Sequence, residues 1–209
     1  MSQETVAIGE PGVAARVQAV LAAGECVVLP TDTVYGIAVS AGDRAAIARL
    51  QAAKGRSDAF PPPVLVGDPG VAWELAPAAP AAARRLAEAF WPGPLTLILA
   101  TTAQDVSLSG TTGTVGIRVP GHPGLRELLR ATGPLAVSSA NRHDQPPATT
   151  VEEAMADLGA SVALYVDGGP TPGPVPSSVV DCSGAGTIVN RAGLISRAAI
   201  LQAAGAGDA

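Results

Sequence analysis

The chain has 209 residues, which predicts one domain or at most two and suffices to bury a full core. Hydrophobic residues make up 47% of the sequence but aromatic residues only 3%, so the core has to be built from Ala, Val, Leu and Ile. The net charge of −5 excludes the bulk positive charge typical of nucleic-acid-binding domains, so such binding would need a local patch. No signal peptide or apolar membrane span is recognisable, which predicts a cytoplasmic protein without membrane association.

The cysteines and histidines give no indication of a metal centre built from side chains. Cys26 and Cys182 are the two cysteines, and both fall in apolar stretches that predict strands, so we expect buried, reduced thiols. His122 and His143 are the two histidines, and neither has the spacing of a metal-ligand motif. We therefore expect no metal ion held by the protein itself.

In chain order, the first half alternates helices with strands. Residues 13–23 have the apolar spacing of a helix that stops at Gly24, and residues 25–29 are apolar on both faces, as in a buried strand. Prolines at 61–63 forbid a helix and hold the chain extended. The other predicted elements are a helix over 43–53 capped by Asp43, a strand over 64–66, a helix over 80–90 and a strand over 95–100.

The second half begins with a polar, flexible loop over 101–113 and then resumes the alternation. Thr150 and Glu153 have the spacing of a capping box, which predicts a helix through Leu158. The other predicted elements are strands over 114–119, 135–137, 162–166, 179–182 and 187–189, a helix over 123–131, and a helix from Ser196 to about 204 before a frayed tail over 205–209. Strands mixed with helices, without a repeat or a long linker, predict a single α/β domain with a mixed sheet and a core over about 13–200.

Hydroxyl and amide side chains recur just after the predicted strands, where ligands gather in open α/β sheets. They are Thr31 and Thr33, then Ser138, Ser139 and Asn141, then Ser177 and Ser178. Taken singly, each is explained equally well by ordinary turn chemistry. Together they predict a ligand pocket, with Tyr35 nearby as a core ring whose hydroxyl reaches solvent.

Four cations fall beside the same segments, in a chain with 13 lysines and arginines. Lys54 and Arg56 follow the helix over 43–53, while Arg118 and Arg191 stand near strand ends. Arginine suits bidentate contact with a carboxylate or phosphate, and lysine acts as a point charge. The set therefore predicts an anion site, although each cation alone could be a solvated surface residue.

Motifs in one fixed order give the chain a family resemblance. They are similar in sequence and spacing to those of the YrdC-like family: LPTDTVYGI at 29–37, KGR at 54–56, FWPGPLTL at 90–97, TVGIRVP at 114–120, SSAN at 138–141 and SSVVD at 177–181. The resemblance runs from about Val13 to Ile200, and the length is that of the single-domain members. Characterised members of the family are threonylcarbamoyl-AMP synthases.

The resemblance implies a fold and a reaction. The fold is α/β, with a twisted mixed sheet flanked by helices around a deep, positively lined cavity. The reaction, a nucleotidyl transfer, converts ATP, L-threonine and bicarbonate to threonylcarbamoyl-AMP and pyrophosphate, with Mg²⁺ held mainly by the ATP phosphates. It is the first step of tRNA threonylcarbamoyladenosine modification. The resemblance therefore also implies contact with a tRNA-modification transferase complex, with tRNA, or with double-stranded RNA.

The resemblance also implies a role for each matching residue. Lys54 and Arg56 are the implied catalytic residues, and no nucleophile is evident, which suits catalysis by positioning. The implied L-threonine contacts are Thr33, Tyr35, Arg118, Ser139 and Ser177, with Arg118 on the carboxylate. The implied ATP contacts are Lys54, Arg56, Thr114, Asn141, Thr149 and Arg191.

Two positions depart from the family pattern: Leu65 stands where many members have a histidine, and Pro176 where many have an acid. Other functions stay open. One is an RNA-binding or regulatory relative without synthase activity, which the negative net charge and scarce aromatic residues disfavour. Another is a carbamoyl-transfer relative, which the chain length disfavours because such proteins are larger. The last is a Ser–His–Asp hydrolase using His122 or His143, which no spacing supports.

Overall fold

The computed structural model describes residues 4–55, 61–101 and 113–205 as a ten-stranded sheet with helices on both faces. The strands are β1 Glu4–Ala7, β2 Val27–Leu29, β3 Gly36–Ser40, β4 Val64–Leu65, β5 Leu95–Ala100, β6 Thr114–Arg118, β7 Leu135–Ser139, β8 Leu164–Asp167, β9 Ser178–Asp181 and β10 Ile188–Arg191. The helices are α1 Val13–Ala22, α2 Arg44–Ala53, α3 Pro69–Leu75, α4 Ala81–Phe90, α5 Pro123–Thr132, α6 Val151–Leu158 and α7 Arg197–Ala204, with a 3-10 turn over Gly159–Ser161. Within these ranges, no helix is both long and apolar enough to cross a membrane.

The sheet is mixed, as predicted, with strand order β1-β8-β2-β3-β7-β4-β6-β5-β9-β10. Four neighbouring pairs are parallel: β1 with β8, β8 with β2, β4 with β6, and β5 with β9. The other five pairs are antiparallel. Most neighbours in the sheet lie far apart in sequence, so the sheet joins distant segments of the described residues.

Helix starts follow the predicted capping chemistry. The Asp43 carboxylate accepts a hydrogen bond from the backbone N–H of Ala46, and the Ser196 hydroxyl accepts one from Ala199. Thr150 forms the predicted capping box, in which its hydroxyl accepts from the N–H of Glu153 and the Glu153 carboxylate accepts from the N–H of Thr150. These helices therefore begin where the sequence predicts.

Three elements are absent from the sequence prediction: β1, β3 and α3. β1 is a short edge strand that pairs only with β8 among the described strands, so tertiary pairing rather than local propensity specifies it. It places residues 4–7 in the sheet, ahead of the expected core. β3 forms directly after the turn at residues 30–35 and pairs with both β2 and β7.

Apolar side chains alternate between the two faces of the sheet. Val28 packs into a cluster on one face, while Val27 and Leu29 pack into a second cluster on the other. Helices α1 and α5 cover this second face and contribute Val17 and Leu128 among others. Burying a side chain of this size stabilises the fold by roughly 1.5–3 kcal/mol.

The two cysteines match the prediction. Cys26 and Cys182 are both buried and neither forms a disulfide. Burial raises the pKa of the Cys26 thiol to about 11, so this thiol stays protonated and inert at neutral pH.

The chemistry of the second face changes between β4 and β6. Leu65 at the end of β4 belongs to the cluster under α1 and α5, and its register partner in β6 is Arg118. On β5, Thr96 precedes Leu97, which pairs with Ile117, so Thr96 and Arg118 share one face. The face therefore passes from aliphatic to charged and hydroxyl-bearing over three adjacent strands. This transition is where the candidate site lies.

Candidate functional site

A cavity of about 220 Å³ opens over this transition. Its volume is below the roughly 300–1,000 Å³ typical of drug-sized ligands, and it suits a small molecule such as an amino acid. The described residues that line it are Thr31, Thr33, Val34, Tyr35, Gly36, Pro63, Leu65, Thr96, Arg118, Val137, Ser138, Ser139, Pro176, Ser177 and Arg191. Gly36 is part of the floor, where a Cβ atom would come within 2.6 Å of Val137 Cγ1.

Arg118 is the fixed cation of the cavity. Its side chain is 6% exposed, and its guanidinium donates from Nε to the Gly93 carbonyl (3.1 Å), from Nη1 to Thr33 Oγ1 (3.1 Å) and from Nη2 to Asp32 Oδ1 (2.6 Å). One further hydrogen remains on each of Nη1 and Nη2 for an anionic ligand. The described residues thus hold Arg118 ready to bind an anion.

The charge on Arg118 is only partly offset within the protein. Burial lowers the pKa of Arg118, the neighbouring Asp32 carboxylate opposes this shift, and the positive charge of Arg191 adds to it. Two cations, Arg118 and Arg191, therefore line the cavity, and one carboxylate, Asp32, pairs with Arg118. An anionic ligand would relieve the repulsion between them.

Hydroxyls from three segments line the same cavity in two hydrogen-bonded pairs. Thr31 Oγ1 lies 2.9 Å from Thr33 Oγ1, and Thr31 also donates to the Val34 carbonyl. On the other side, Thr96 Oγ1 lies 3.0 Å from Ser177 Oγ. Because each pair is already hydrogen-bonded, the hydroxyls are oriented before a ligand arrives.

Arg191 reaches the cavity from β10. Its Nε donates to the Ser177 carbonyl at 2.9 Å, and the residue is exposed. The segment that carries Ser177 packs tightly on Gly193, where a Cβ atom would lie 2.3 Å from the Pro176 carbonyl oxygen. Gly193 therefore allows β10 and the segment before β9 to approach each other at the cavity rim.

Lys54 acts on the site through the backbone. It is 4% exposed, and its ammonium donates to the carbonyls of Ser139 and of Asn141, the latter at 2.7 Å. Asn141 donates in turn to the carbonyls of Arg142 and Gln145, while its Oδ1 is buried without a partner among the described residues. Lys54 therefore holds the end of β7 and the loop that follows it in one shape.

A second cavity of about 490 Å³ lies beyond this loop. Thr149 lines it, as do Gln145, Pro146, Pro147, Ala148, Glu153, Ala156, Asp157 and Pro174. The segment between β8 and β9 borders both cavities, since Pro174 lines the second and Pro176 the first. Thr171, in the same segment, is tied to the Thr149 carbonyl. The two cavities are large enough for a nucleotide in one and an amino acid in the other.

Tyr35 differs from the prediction. The residue lines the first cavity, but its hydroxyl is buried, donates to the Gly169 carbonyl at 2.7 Å, and accepts from the N–H of Gly168. Burial, opposed by the Gly168 hydrogen bond and reinforced by Asp167, raises the pKa of Tyr35 to about 12. The predicted solvent contact of the hydroxyl is wrong because the turn after β8 covers it.

The structure brings most of the sequence-predicted residues together. Eight of them line the first cavity: Thr31, Thr33, Tyr35, Arg118, Ser138, Ser139, Ser177 and Arg191. Thr149 lines the second cavity. Lys54 and Asn141 lie next to the first cavity without lining it, Thr114 begins β6, and Arg56 lies outside the described residues.

Two local predictions need correction. Ser138 and Ser139 do not follow a strand but are its last two residues, because pairing with β3 continues to the Gly36–Ser139 pair. Ser177 and Ser178 stand at the beginning of β9, not after a strand. Ser178 is fully buried and serves structure: its hydroxyl donates to Ile195 and accepts from Gly193.

Two site residues, Thr96 and Asp32, received no role from the sequence. Thr96 was recognisable as the one hydroxyl in the apolar strand LTLILA. Asp32 lies between two threonines, and its pairing with Arg118 depends on a contact across 86 positions of sequence. The histidines line neither cavity: the imidazole of His122 caps α5 through Leu125, and His143 is exposed beside Asp144. The described geometry therefore does not support the hydrolase alternative.

Comparison with known proteins places this site in a family. The model of the Sua5, YciO and YrdC proteins, described as "Telomere recombination", matches residues 19–193. A relative from Mycobacterium tuberculosis is 44% identical over 184 residues, which are 88% of this chain and 85% of the relative. The threonylcarbamoyl-AMP synthase of Bacillus subtilis is 40% identical over 172 residues, which are 81% of this chain and 50% of that protein.

A solved structure agrees with the sequence relatives. Pyrococcus abyssi Sua5 complexed with L-threonine matches with a TM-score of 0.88 and 29% identity, over 97% of this chain and 61% of that one. The fold prediction is confirmed, and the present chain spans only part of the longer relatives. With the family model matched over 19–193 and relatives at 40–44% identity, this chain belongs to the Sua5/YciO/YrdC family.

Proposed function

We propose that this protein is a threonylcarbamoyl-AMP synthase, which converts ATP, L-threonine and bicarbonate to threonylcarbamoyl-AMP and pyrophosphate. The observation that carries the proposal is Arg118, a buried guanidinium fixed by Asp32 and Thr33 in a hydroxyl-lined cavity of amino-acid size. The similar Pyrococcus protein is complexed with L-threonine, and the Bacillus relative is named for this activity. Both relatives favour the synthase over an RNA-binding protein without activity.

The first cavity would hold L-threonine. Its carboxylate would bind the remaining N–H groups of Arg118, and Thr33, Ser139 and Ser177 would surround the rest of the molecule. The Tyr35 ring would shape the cavity, since its hydroxyl is already bonded elsewhere. Loss of water from the threonine amine and bicarbonate gives a carbamate, so the chain supplies position rather than a nucleophile.

Nucleotidyl transfer would follow at the junction of the two cavities. A carbamate oxygen attacks the α-phosphorus of ATP, and the bond from that phosphorus to the pyrophosphate oxygen breaks. Arg191, Lys54 and Arg56 would offset the charge of the phosphates. Asn141, Thr114 and Thr149 would contact the nucleotide. The role of Arg56 stays a prediction because it lies outside the described residues.

Magnesium is proposed as a companion of ATP. The polar side chains lining the first cavity are hydroxyls and guanidiniums, whereas Mg²⁺ prefers carboxylate, carbonyl and water oxygens. Over residues 4–55, 61–101 and 113–205, no group of three or more His, Cys, Asp and Glu side chains could hold a metal ion. These residues do not fit a protein-held magnesium ion.

The setting of the reaction is also proposed. The product would enter tRNA threonylcarbamoyladenosine modification in the cytoplasm, through a separate transferase complex. Direct contact with tRNA or double-stranded RNA would need a local basic patch, because the net charge is −5.

A direct assay tests the proposal. The purified chain is incubated with ATP, labelled bicarbonate, L-threonine and Mg²⁺, and threonine-dependent pyrophosphate and labelled threonylcarbamoyl-AMP are measured. We expect both products in equal amounts. Omission of threonine is the control, and failure to form the adenylate across a range of magnesium concentrations would refute the synthase function.

A further inference from the structure

Arg118 stands between two chemically different walls of the first cavity. The strand order places β4 and β7 on one side of β6, and β5 and β9 on the other. On the first side, the strand next to Arg118 presents aliphatic residues, Leu65 on β4 and Pro63 ahead of it, and the hydroxyls of Ser138 and Ser139 lie one strand further away at the end of β7. On the second side, Thr96 and Ser177 carry hydroxyls. A ligand held through its carboxylate on Arg118 thus has the apolar side chain of Leu65 on one side and the hydroxyls of Thr96 and Ser177 on the other.

Leu65 is the aliphatic residue closest in register to Arg118. It pairs with Arg118 on β6 and with Leu135 on β7, so its side chain stands on the same face, about 4.8 Å along the hydrogen-bonding direction. It is 3% exposed and lines the cavity. The substituents next to a carboxylate bound on Arg118 are therefore within reach of Leu65.

Packing behind Leu65 makes this wall rigid. Leu65 belongs to the same buried cluster as Leu135, Leu125 and Leu128, beneath α5. It offers no hydrogen-bond donor or acceptor, so a polar group placed against it would lose its hydration without compensation. A methyl group placed there would instead gain apolar contact.

The opposite side of the cavity can form hydrogen bonds with a ligand. Thr96 and Ser177 hydroxyls lie 3.0 Å apart in a shared hydrogen bond, and both are buried. Each hydroxyl can take part in more than one hydrogen bond, so the pair can also bind a ligand hydroxyl. An amino acid with a methyl and a hydroxyl on its β-carbon matches both walls at once.

We propose that Leu65 is a specificity-determining residue, which contacts the β-methyl group of the bound amino acid and selects threonine over serine. This inference rests on the proposed function, because it assumes that the amino acid is a substrate. The protein would thus distinguish threonine from serine by an apolar contact with Leu65. Many family members carry a histidine at this position.

The test compares substrates within each variant. Values of kcat/KM for L-threonine, L-serine and L-valine are measured as amino-acid-dependent pyrophosphate release, with the adenylate product confirmed by mass. One methyl group in an apolar pocket changes kcat/KM by roughly 10–200-fold. We expect Leu65→Ala to reduce the threonine-to-serine ratio by about 10-fold or more. The threonine-to-valine ratio should stay within the same order of magnitude, because both substrates carry that methyl.

A matched control separates specificity from stability. Leu128→Ala removes the same atoms from the same buried cluster, but Leu128 does not line the cavity. It should lower thermal stability and leave the threonine-to-serine ratio unchanged. Leu65→Val, a milder truncation, replaces Leu65→Ala if the latter does not fold. An unchanged ratio in a folded Leu65 variant overturns the proposal.

Failure of the proposed function is distinguishable from failure of this inference. If the wild-type chain makes no adenylate from any amino acid, the synthase function falls. The inference is then decided by calorimetric titration of the wild-type protein and Leu65→Ala with L-threonine and L-serine. A preference for threonine that Leu65→Ala abolishes supports the role of Leu65, whereas equal binding of both amino acids by the wild type refutes it.

Discussion

Arg118 and Arg191 line the same cavity but differ in burial and in hydrogen bonding. Arg118 is 6% exposed and donates to Gly93, Thr33 and Asp32, so its guanidinium has one orientation. Arg191 is exposed, and the hydrogen bonds described for it go to Ser177. A fixed cation suits a group that keeps its place, such as a carboxylate, and an exposed one suits a group that departs, such as pyrophosphate. Under the proposed function, Arg118 would therefore recognise the threonine carboxylate, and Arg191 would offset the charge of the leaving pyrophosphate.

The largest expected effect comes from removing the fixed cation. Arg118→Ala should lower kcat/KM for threonine by roughly 10²–10³-fold, if its loss resembles that of an oxyanion-hole donor. It should also destabilise the fold by about 3–5 kcal/mol, because Asp32 would keep a largely buried charge without a partner. Steady-state kinetics and chemical denaturation measure the two effects separately.

A double variant shows how much of this stability loss comes from the unpaired Asp32 carboxylate. In Arg118→Ala with Asp32→Asn, the uncompensated carboxylate is gone, so much of the lost stability should return while threonine turnover stays low. Equal instability of the single and double variants would show that Asp32 and Arg118 are not coupled as described.

Lys54 is a third cation near the site, and backbone carbonyls hold its ammonium in place. Lys54→Met keeps the aliphatic stem but leaves the carbonyls of Ser139 and Asn141 without the ammonium. An unsatisfied buried group costs about 1–3 kcal/mol, so thermal stability should fall as ATP-dependent turnover is lost. Wild-type stability together with wild-type KM for ATP would contradict both roles.

Removing the exposed cation should have a smaller and more selective effect. Arg191→Ala should reduce kcat/KM for ATP by roughly 10-fold, about 1.4 kcal/mol, with little change in threonine binding or melting temperature. The loss should shrink at high salt, which screens exposed charges. Arg197, an exposed arginine at the start of α7, gives the matched control through Arg197→Ala. A stability loss as large as that of Arg118→Ala would erase the distinction between the two arginines.

The sequence predicts contacts between residues that are close in sequence better than contacts between distant segments. Both arginines were expected at an anion site, and the caps of α2, α6 and α7 were expected from local chemistry. Capping depends on residues three positions apart, so sequence spacing specifies it. The difference in burial between the arginines depends on strand order, which joins β4, β6 and β5 from distant segments.

The same limit explains the roles that were missed. Lys54 was expected to face phosphates, but its two described acceptors come from a loop 85 and 87 positions away. Thr96 faces the cavity because β5 pairs with β6 in one particular register. A single sequence reports neither pairing nor register, and these decide whether a polar side chain meets a ligand or another part of the protein.

The smallest expected effect concerns Tyr35, which borders the cavity without offering its hydroxyl to it. Burial raises the pKa of Tyr35 to about 12, from an ordinary value near 10, so the folded state favours the neutral phenol. Its contribution to stability is complete below pH 10 and declines as the pH rises from about 10 to about 12. Tyr35→Phe should cost about 1 kcal/mol at pH 7 through lost hydrogen bonds, and should flatten the alkaline decline in the free energy of unfolding.

Tyr165 provides the control for this last prediction. Burial also raises its pKa to about 12, and its hydroxyl donates to the Gly159 carbonyl, yet its ring lines neither cavity. Tyr165→Phe should flatten the alkaline decline in the same way. Because Tyr35→Phe retains the aromatic ring and so keeps the cavity wall intact, neither variant should change kcat/KM for threonine by as much as 10-fold. A larger loss in Tyr35→Phe alone would mean that the Tyr35 hydroxyl turns toward the substrate, and that the cavity is less fixed around Arg118 than its hydrogen bonds indicate.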